Sequence, residues 1–108
     1  MSAVFVYIVA ANDEEAARIG RALVEERLCA CVNVLGGVRS FYRWQGRMQD
    51  EREVALIAKT TDDRVAAVAA RVGQLHSYEV PCVVATPIAG GNPSFLDWIA
   101  AETGKQPD

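Results

Sequence analysis

The side chains able to do chemistry are few. One histidine and three cysteines stand among 108 residues, and these are the soft donors that copper or zinc favours, three or four converging on the ion. Cys29 and Cys31 sit two apart in a strand-like stretch. That spacing puts both on one face and makes a two-thiolate contact to Cu(I) geometrically open. Cysteine is also among the most buried residue types, so a role as small apolar filler accounts for Cys29, Cys31 and Cys82 more simply. His76 closes an apolar helical stripe. It reads either as a helix C-terminal cap or, together with Tyr78 and Glu79, as the lining of an inter-subunit cleft for a metal ion or small anion. Glu53 and Lys59 share one face of a strand but lie too far apart to act as a couple. With Asp50 and Arg52 they suit a solvated or interfacial ion-pair set better than an acid/base pair.

Other chemistry lacks a signal. There is no Walker loop, no G-x-G-x-x-G, no C-x-x-C and no H-E-x-x-H, and nothing marks a nucleophile elbow, so the expectation is a binding protein and not an enzyme. The net charge of −3 is spread over interleaved acids and bases, which argues against nucleic-acid and membrane partners. Met1-Ser2-Ala3 has no basic stretch before an apolar run, so neither a signal peptide nor a spanning segment is expected. An odd number of cysteines without disulfide spacing points to reduced thiols and a cytoplasmic address.

The elements that must position these groups follow from periodicity. With half its residues apolar, the chain has the size of one domain over 1–108. Val4 to Val9 is a β-branched and aromatic run, read as a central strand buried on both faces. Asn12 and Glu15 make a capping-box signal for a helix that buries Ala16, Ile19, Gly20 and Leu23, with Glu25, Glu26 and Arg27 as its wet end. Leu28 to Leu35 reads as strand, and the extended pattern resumes through Trp44 to a turn at Gln45-Gly46. From that turn the register pairs Trp44 with Arg47, Tyr42 with Gln49, Val38 with Glu53 and Val32 with Lys59. Thr60 to Asp63 signals a second helix through Val65, Val68, Val72 and Leu75. Cys82 to Thr86 is a fourth strand, Asn92-Pro93 starts a last helix with Phe95, Trp98 and Ile99 on one face, and Gly104 to Asp108 reads as a frayed tail.

Strand, helix, strand, strand, helix, strand with right-handed crossovers is an α+β, ferredoxin-like βαββαβ sandwich with a long central hairpin and a C-terminal helix. An arm of roughly 40 Å at ~3.3 Å per residue exceeds the diameter of a compact chain this long, so the tip should overhang. Phe41, Tyr42 and Trp44 near the tip, with Trp98 on the last helix, are then candidates for an interface between copies of the chain.

Several collinear segments resemble one family. Glu26-Arg27-Leu28-Cys29-Ala30-Cys31-Val32-Asn33, Ser40-Phe41-Tyr42-Arg43-Trp44-Gln45-Gly46, Leu75-His76-Ser77-Tyr78-Glu79-Val80-Pro81 and Phe95-Leu96-Asp97-Trp98 are similar to CutA, the divalent-ion tolerance family. The resemblance implies a homotrimer related in architecture to PII signalling proteins and linked to tolerance of copper and other divalent cations. It implies His76 as a metal residue, with Cys31, Glu53, Lys59, Tyr78 and Glu79 as inter-subunit cleft candidates. Some members carry a cysteine where this chain has Val9 beside Ala10, and a second histidine where it has Leu75; of that proposed copper set only His76 is kept. A PII-like sensor of a nucleotide or small anion, and a structural tethering module, are the alternatives.

Overall fold

The computed structural model describes residues 2–104. Its elements run β1 (Ala3–Ala10), α1 (Asp13–Glu25), β2 (Cys31–Trp44), β3 (Arg47–Thr61), a 3-10 turn (Asp62–Arg64), α2 (Val65–Leu75), β4 (Cys82–Pro87) and α3 (Pro93–Glu102). The strands form one antiparallel sheet in the order β2-β3-β1-β4. Two crossovers around a hairpin produce this order, with β1 and β3 in the middle.

Alternation along the strands sends Val4, Val6 and Ile8 of β1 and Leu56 and Ala58 of β3 to one face. There they meet Ala16, Ile19 and Leu23 of α1 and Val68 and Val72 of α2. Close approach of α1 to β2 depends on Gly20, where a Cβ would lie 3.3 Å from Val32 Cγ1. The opposite face is largely open. β1, expected to be covered on both sides, leaves Phe5 and Tyr7 exposed, because α3 reaches only part of that face. The Lys59 ammonium, which alternation places on the open side, lies 5.7 Å over the Phe95 ring of α3.

Arg27, expected to be wet, instead clasps α3. Its guanidinium donates to the carbonyls of Ala101 at 3.0 Å and Gly104 at 3.1 Å and pairs with Glu102 at 3.4 Å, satisfying carbonyls that the end of α3 leaves open. Gly104 is tied in by its amide, which donates to the Arg27 carbonyl at 2.9 Å, so it is no part of a frayed tail; 105–108 lie outside the described residues.

Gln45 and Gly46 have φ of 51° and 78°, the two positive values of a type I′ turn. The arm makes the molecule 48 Å long against 28 and 21 Å across, in keeping with the expected overhang. Pairing follows the expected register from Trp44↔Arg47 to Val38↔Glu53, then slips between Val34 and Gly36, so that Cys31 and not Val32 stands opposite Lys59. Gly36, at φ 102°, supplies the left-handed conformation that lets Leu35 bulge out of the ladder. One extra residue reverses the strand's facing. Beyond it Ser40, Tyr42 and Trp44 share the face of Glu53.

Leu28 to Ala30 also differ from expectation, since they precede β2. The amides of Leu28 and Cys29 both donate to the Leu23 carbonyl, at 3.0 and 3.1 Å, closing the end of α1. Cys29 and Cys31 are therefore not two rungs of one strand. Thr60 and Thr61 stay in β3, the Thr60 hydroxyl donating to the Leu28 carbonyl at 2.7 Å, and α2 starts only after the 3-10 turn.

Candidate functional site

The loop between α2 and β4 carries His76, Tyr78 and Glu79 and connects two unlike environments. Its first half is sealed under α1. The Asn12 side chain caps that helix by accepting from the Glu15 amide at 2.9 Å, as the capping signal requires. Glu15 reaches back one residue further than a capping box does: its Oε2 accepts from the Ala11 amide at 2.7 Å, while Oε1 accepts from the Ser77 amide at 2.7 Å. Burial pushes this carboxyl up, but the amides of Ala11 and Ser77 outweigh it and hold the pKa below the ordinary carboxylate value. His76 is equally occupied. The Tyr78 amide donates to Nδ1 at 3.0 Å, and Nε2 lies 2.7 Å from the Val9 carbonyl. A ring nitrogen that accepts an amide proton carries none itself, so the geometry puts the proton on Nε2, toward the Val9 carbonyl.

The second half of the loop opens on the other side of the sheet. Val9, Ser40, Tyr42, Trp44, Glu53, Tyr78, Glu79, Val80 and Cys82 line a cleft of 550 Å³. Each strand supplies its part by alternation: Val9 from the end of β1, Glu53 from β3, Cys82 from the start of β4. The bulged β2 supplies Ser40, Tyr42 and Trp44. Glu53 is 7% exposed, and its Oε2 accepts from the Tyr78 hydroxyl at 2.8 Å. Burial and then that carboxylate push the Tyr78 phenol well up, so it remains a donor at neutral pH. Burial pushes the Cys82 thiol up as well, with the Glu53 charge adding to it. Among the described residues Glu53 forms no ion pair, and no basic side chain lines the cleft. The space suits a cation and repels an anion.

The predicted site residues thus fall into separate places. Glu53, Tyr78 and Glu79 come together in the cleft. Cys31 and Lys59 face each other across β2 and β3, six residues along β3 from Glu53, or roughly 20 Å at strand spacing; the Lys59 ammonium donates to the Asn33 side chain instead. His76 lies behind the cleft with both nitrogens engaged, which leaves no lone pair free for a metal. Cys29 is sealed at 1% exposure, its thiol pushed up to about 12 by burial and then by neighbouring Cys31. Among the described residues no three His, Cys, Asp or Glu side chains converge as metal ligands. The donors of one chain therefore do not fit a closed metal centre. Phe41, Tyr42, Trp44 and Trp98 are all exposed, at 38–59%, but Tyr42 and Trp44 wall the cleft, Phe41 points the other way under the Arg39 guanidinium, and Trp98 packs on Phe95.

Sequence reasoning passed over three participants. Glu15 carried a capping signal only. The turn register already puts Ser40 on the face of Glu53, but its residue type carried no signal, and nothing about Cys82 beyond its type announced that it would face a carboxylate.

The CutA1 divalent ion tolerance protein family model matches residues 4–102. A divalent-cation tolerance protein CutA of Thermus thermophilus is 48% identical, the match covering 92% of this chain and 96% of the relative. The solved structure of the Thermus thermophilus protein superposes with a TM-score of 0.92 at 46% identity, over 94% of this chain and 99% of the other. A structure described as the periplasmic divalent cation tolerance protein CutA of Archaeoglobus fulgidus gives 0.87 at 43% identity, covering 90% and 94%. A rice relative, named protein CutA 1, chloroplastic, is 38% identical over 93% of this chain and 56% of its own length. None of these names carries an enzymatic activity.

Proposed function

The chain belongs to the CutA1 divalent ion tolerance family, and from that membership we propose a homotrimeric binding protein, not an enzyme, that serves the response to copper and other divalent cations through a cation-selective cleft. The observation that carries this reading is the Glu53 carboxylate, 7% exposed, in a 550 Å³ cleft that Glu79 also lines and to which no basic side chain among the described residues contributes. A nucleotide or inorganic anion would meet two carboxylates there, which weighs against the PII-like sensor. Assembly is supported by the overhanging arm and the open sheet face, where Phe5, Tyr7, Val84 and Trp98 stand exposed; the family resemblance supplies the number three. Three unpaired cysteines favour a reducing compartment, and we place the protein in the cytoplasm.

Calorimetry tests the reading. Copper(II), zinc(II), alkylammonium ions and ATP are titrated into the assembled protein and into Glu53→Gln. Saturable cation binding that the substitution weakens, without ATP binding, is expected. Saturable ATP binding with no cation binding would replace this reading by the nucleotide sensor. Light scattering should give the mass of three chains, and a monomer would remove the assembly.

A further inference from the structure

Among the described residues Glu53 has no counter-charge: the residue is 7% exposed, and its one polar partner is the neutral Tyr78 hydroxyl at 2.8 Å from Oε2. No fully buried side-chain oxygen among them lacks a hydrogen-bond partner, so the second Glu53 oxygen opens into the cleft, where a cation can pair with it. The cleft above it could be filled by two classes of cation. A metal ion must exchange its hydration shell for several protein donors, commonly three or more. The described residues offer no such group, and His76 is committed on both nitrogens. An organic cation makes different demands. A methylated ammonium spreads its charge over alkyl groups and sheds water readily, a primary alkylammonium keeps a compact charge on an apolar stem, and either is held by one carboxylate and by the faces of aromatic rings. The cleft has this composition, with Tyr42, Trp44 and Tyr78 around Glu53 and with Val9 and Val80 as apolar wall.

We infer that the cleft between the base of the arm and the segment 78–82 binds an organic cation, an alkylammonium or methylated ammonium group, with Glu53 as counter-charge and Tyr42, Trp44 and Tyr78 as its aromatic walls. The inference rests on the reading of the cleft as a cation site and names the class of cation. A metal signal would then reach the protein as competition for, or a change in, such a ligand and not by direct coordination in the cleft.

The test is calorimetry of the full chain in its assembled state with n-butylammonium and tetramethylammonium chlorides, with copper(II) and zinc(II) chlorides as comparators. Wild-type protein should bind at least one ammonium ion saturably. Affinity should fall by roughly tenfold or more in Glu53→Gln and by a few-fold in Trp44→Leu, while Trp44→Phe retains most of it and circular dichroism is unchanged. Should Glu53→Gln fail to fold, the Trp44 pair decides alone. Absence of ammonium binding at millimolar concentration overturns the inference, as does binding that none of the variants alters. Metal binding that depends on Glu53 and that butylammonium never displaces overturns the inference and leaves the cation reading standing. ATP binding without either cation overturns both.

Discussion

Glu15 and Glu53 are both buried carboxylates, 3% and 7% exposed, and they lie on opposite sides of one sheet, joined through the loop that carries His76 and Tyr78. Around Glu15 every valence has a use: two backbone amides hold its two oxygens, and the neighbouring imidazole is fixed at both nitrogens. Among the described residues Glu53 has one neutral hydroxyl donor, and 550 Å³ of open cleft lies above it. Burial is common to the two groups; what separates them is that Glu15 finds a partner for each oxygen inside the chain, whereas Glu53 keeps one oxygen open to the cleft, which is the ground for proposing it as the binding carboxylate. The same contrast explains His76. A histidine is the residue most readily taken for a metal ligand, and in this fold it is a strut between β1 and the loop.

The comparison can be broken most decisively by removing each carboxylate. Glu15→Ala would leave the amides of Ala11 and Ser77 buried without acceptors and should cost about 3 kcal/mol in urea unfolding at fixed chain concentration. Glu53→Ala removes a poorly paired charge and should lie within about 1 kcal/mol of wild type, on either side; equal losses at the two positions would erase the distinction. Next in size, His76→Ala should lose about 2 kcal/mol through the abandoned Val9 carbonyl and Tyr78 amide, with copper titration unchanged. A drop in copper affinity at undiminished stability would turn the strut back into a ligand.

Acid sharpens the contrast by titration. The Glu15 pKa is lowered in the fold from 4.5, so the unfolded chain takes up its proton first as pH falls. The stabilisation from Glu15 is complete above pH 4.5 and is lost as pH drops through the folded value. Glu15→Gln should flatten the acid limb of a stability profile measured by denaturation between neutral pH and the acid transition. An unchanged limb would mean that the acid transition has its origin elsewhere.

The smallest expected effect on the fold itself is at the arm. Phe41, 59% exposed and outside the cleft, should be replaceable by Ser within about 0.5 kcal/mol for the isolated fold. If the arm seats on another subunit, Phe41→Ser shifts the sedimentation profile toward smaller species at low concentration. An unaltered profile would take Phe41 out of the interface.

The fold was legible in the sequence because its signals are local and agree: the Asn12 cap, the type I′ pair Gln45-Gly46, and helical stripes from Ala16 to Leu23 and Val65 to Leu75. Half of the cleft was legible too, since Glu53, Tyr78 and Glu79 are chemically conspicuous and turned out to be neighbours. What stayed hidden depends on long-range placement. Arg27 looks like any charged residue at a helix end, and only the return of the chain after residue 100 gives it three oxygens to hold. His76 and Glu15 are 61 positions apart, with Nδ1 and Oε2 at 3.5 Å; neither residue type distinguishes a satisfied interior from a vacant one.

The single extra residue at Leu35 has a consequence for how chains of this kind are compared position by position. Opposed residues of an antiparallel pair face the same side, so the hairpin register alone keeps Ser40, Tyr42 and Trp44 on the face of Glu53. Deleting Leu35 would remove the bulge and leave both the inner pair Val34↔Leu56 and the outer pairs from Gly36↔Ala55 to Trp44↔Arg47 in place. A relative one residue shorter at this point would present the same side chains to its cleft, so the bulge takes up a difference in strand length and leaves the lining as it is.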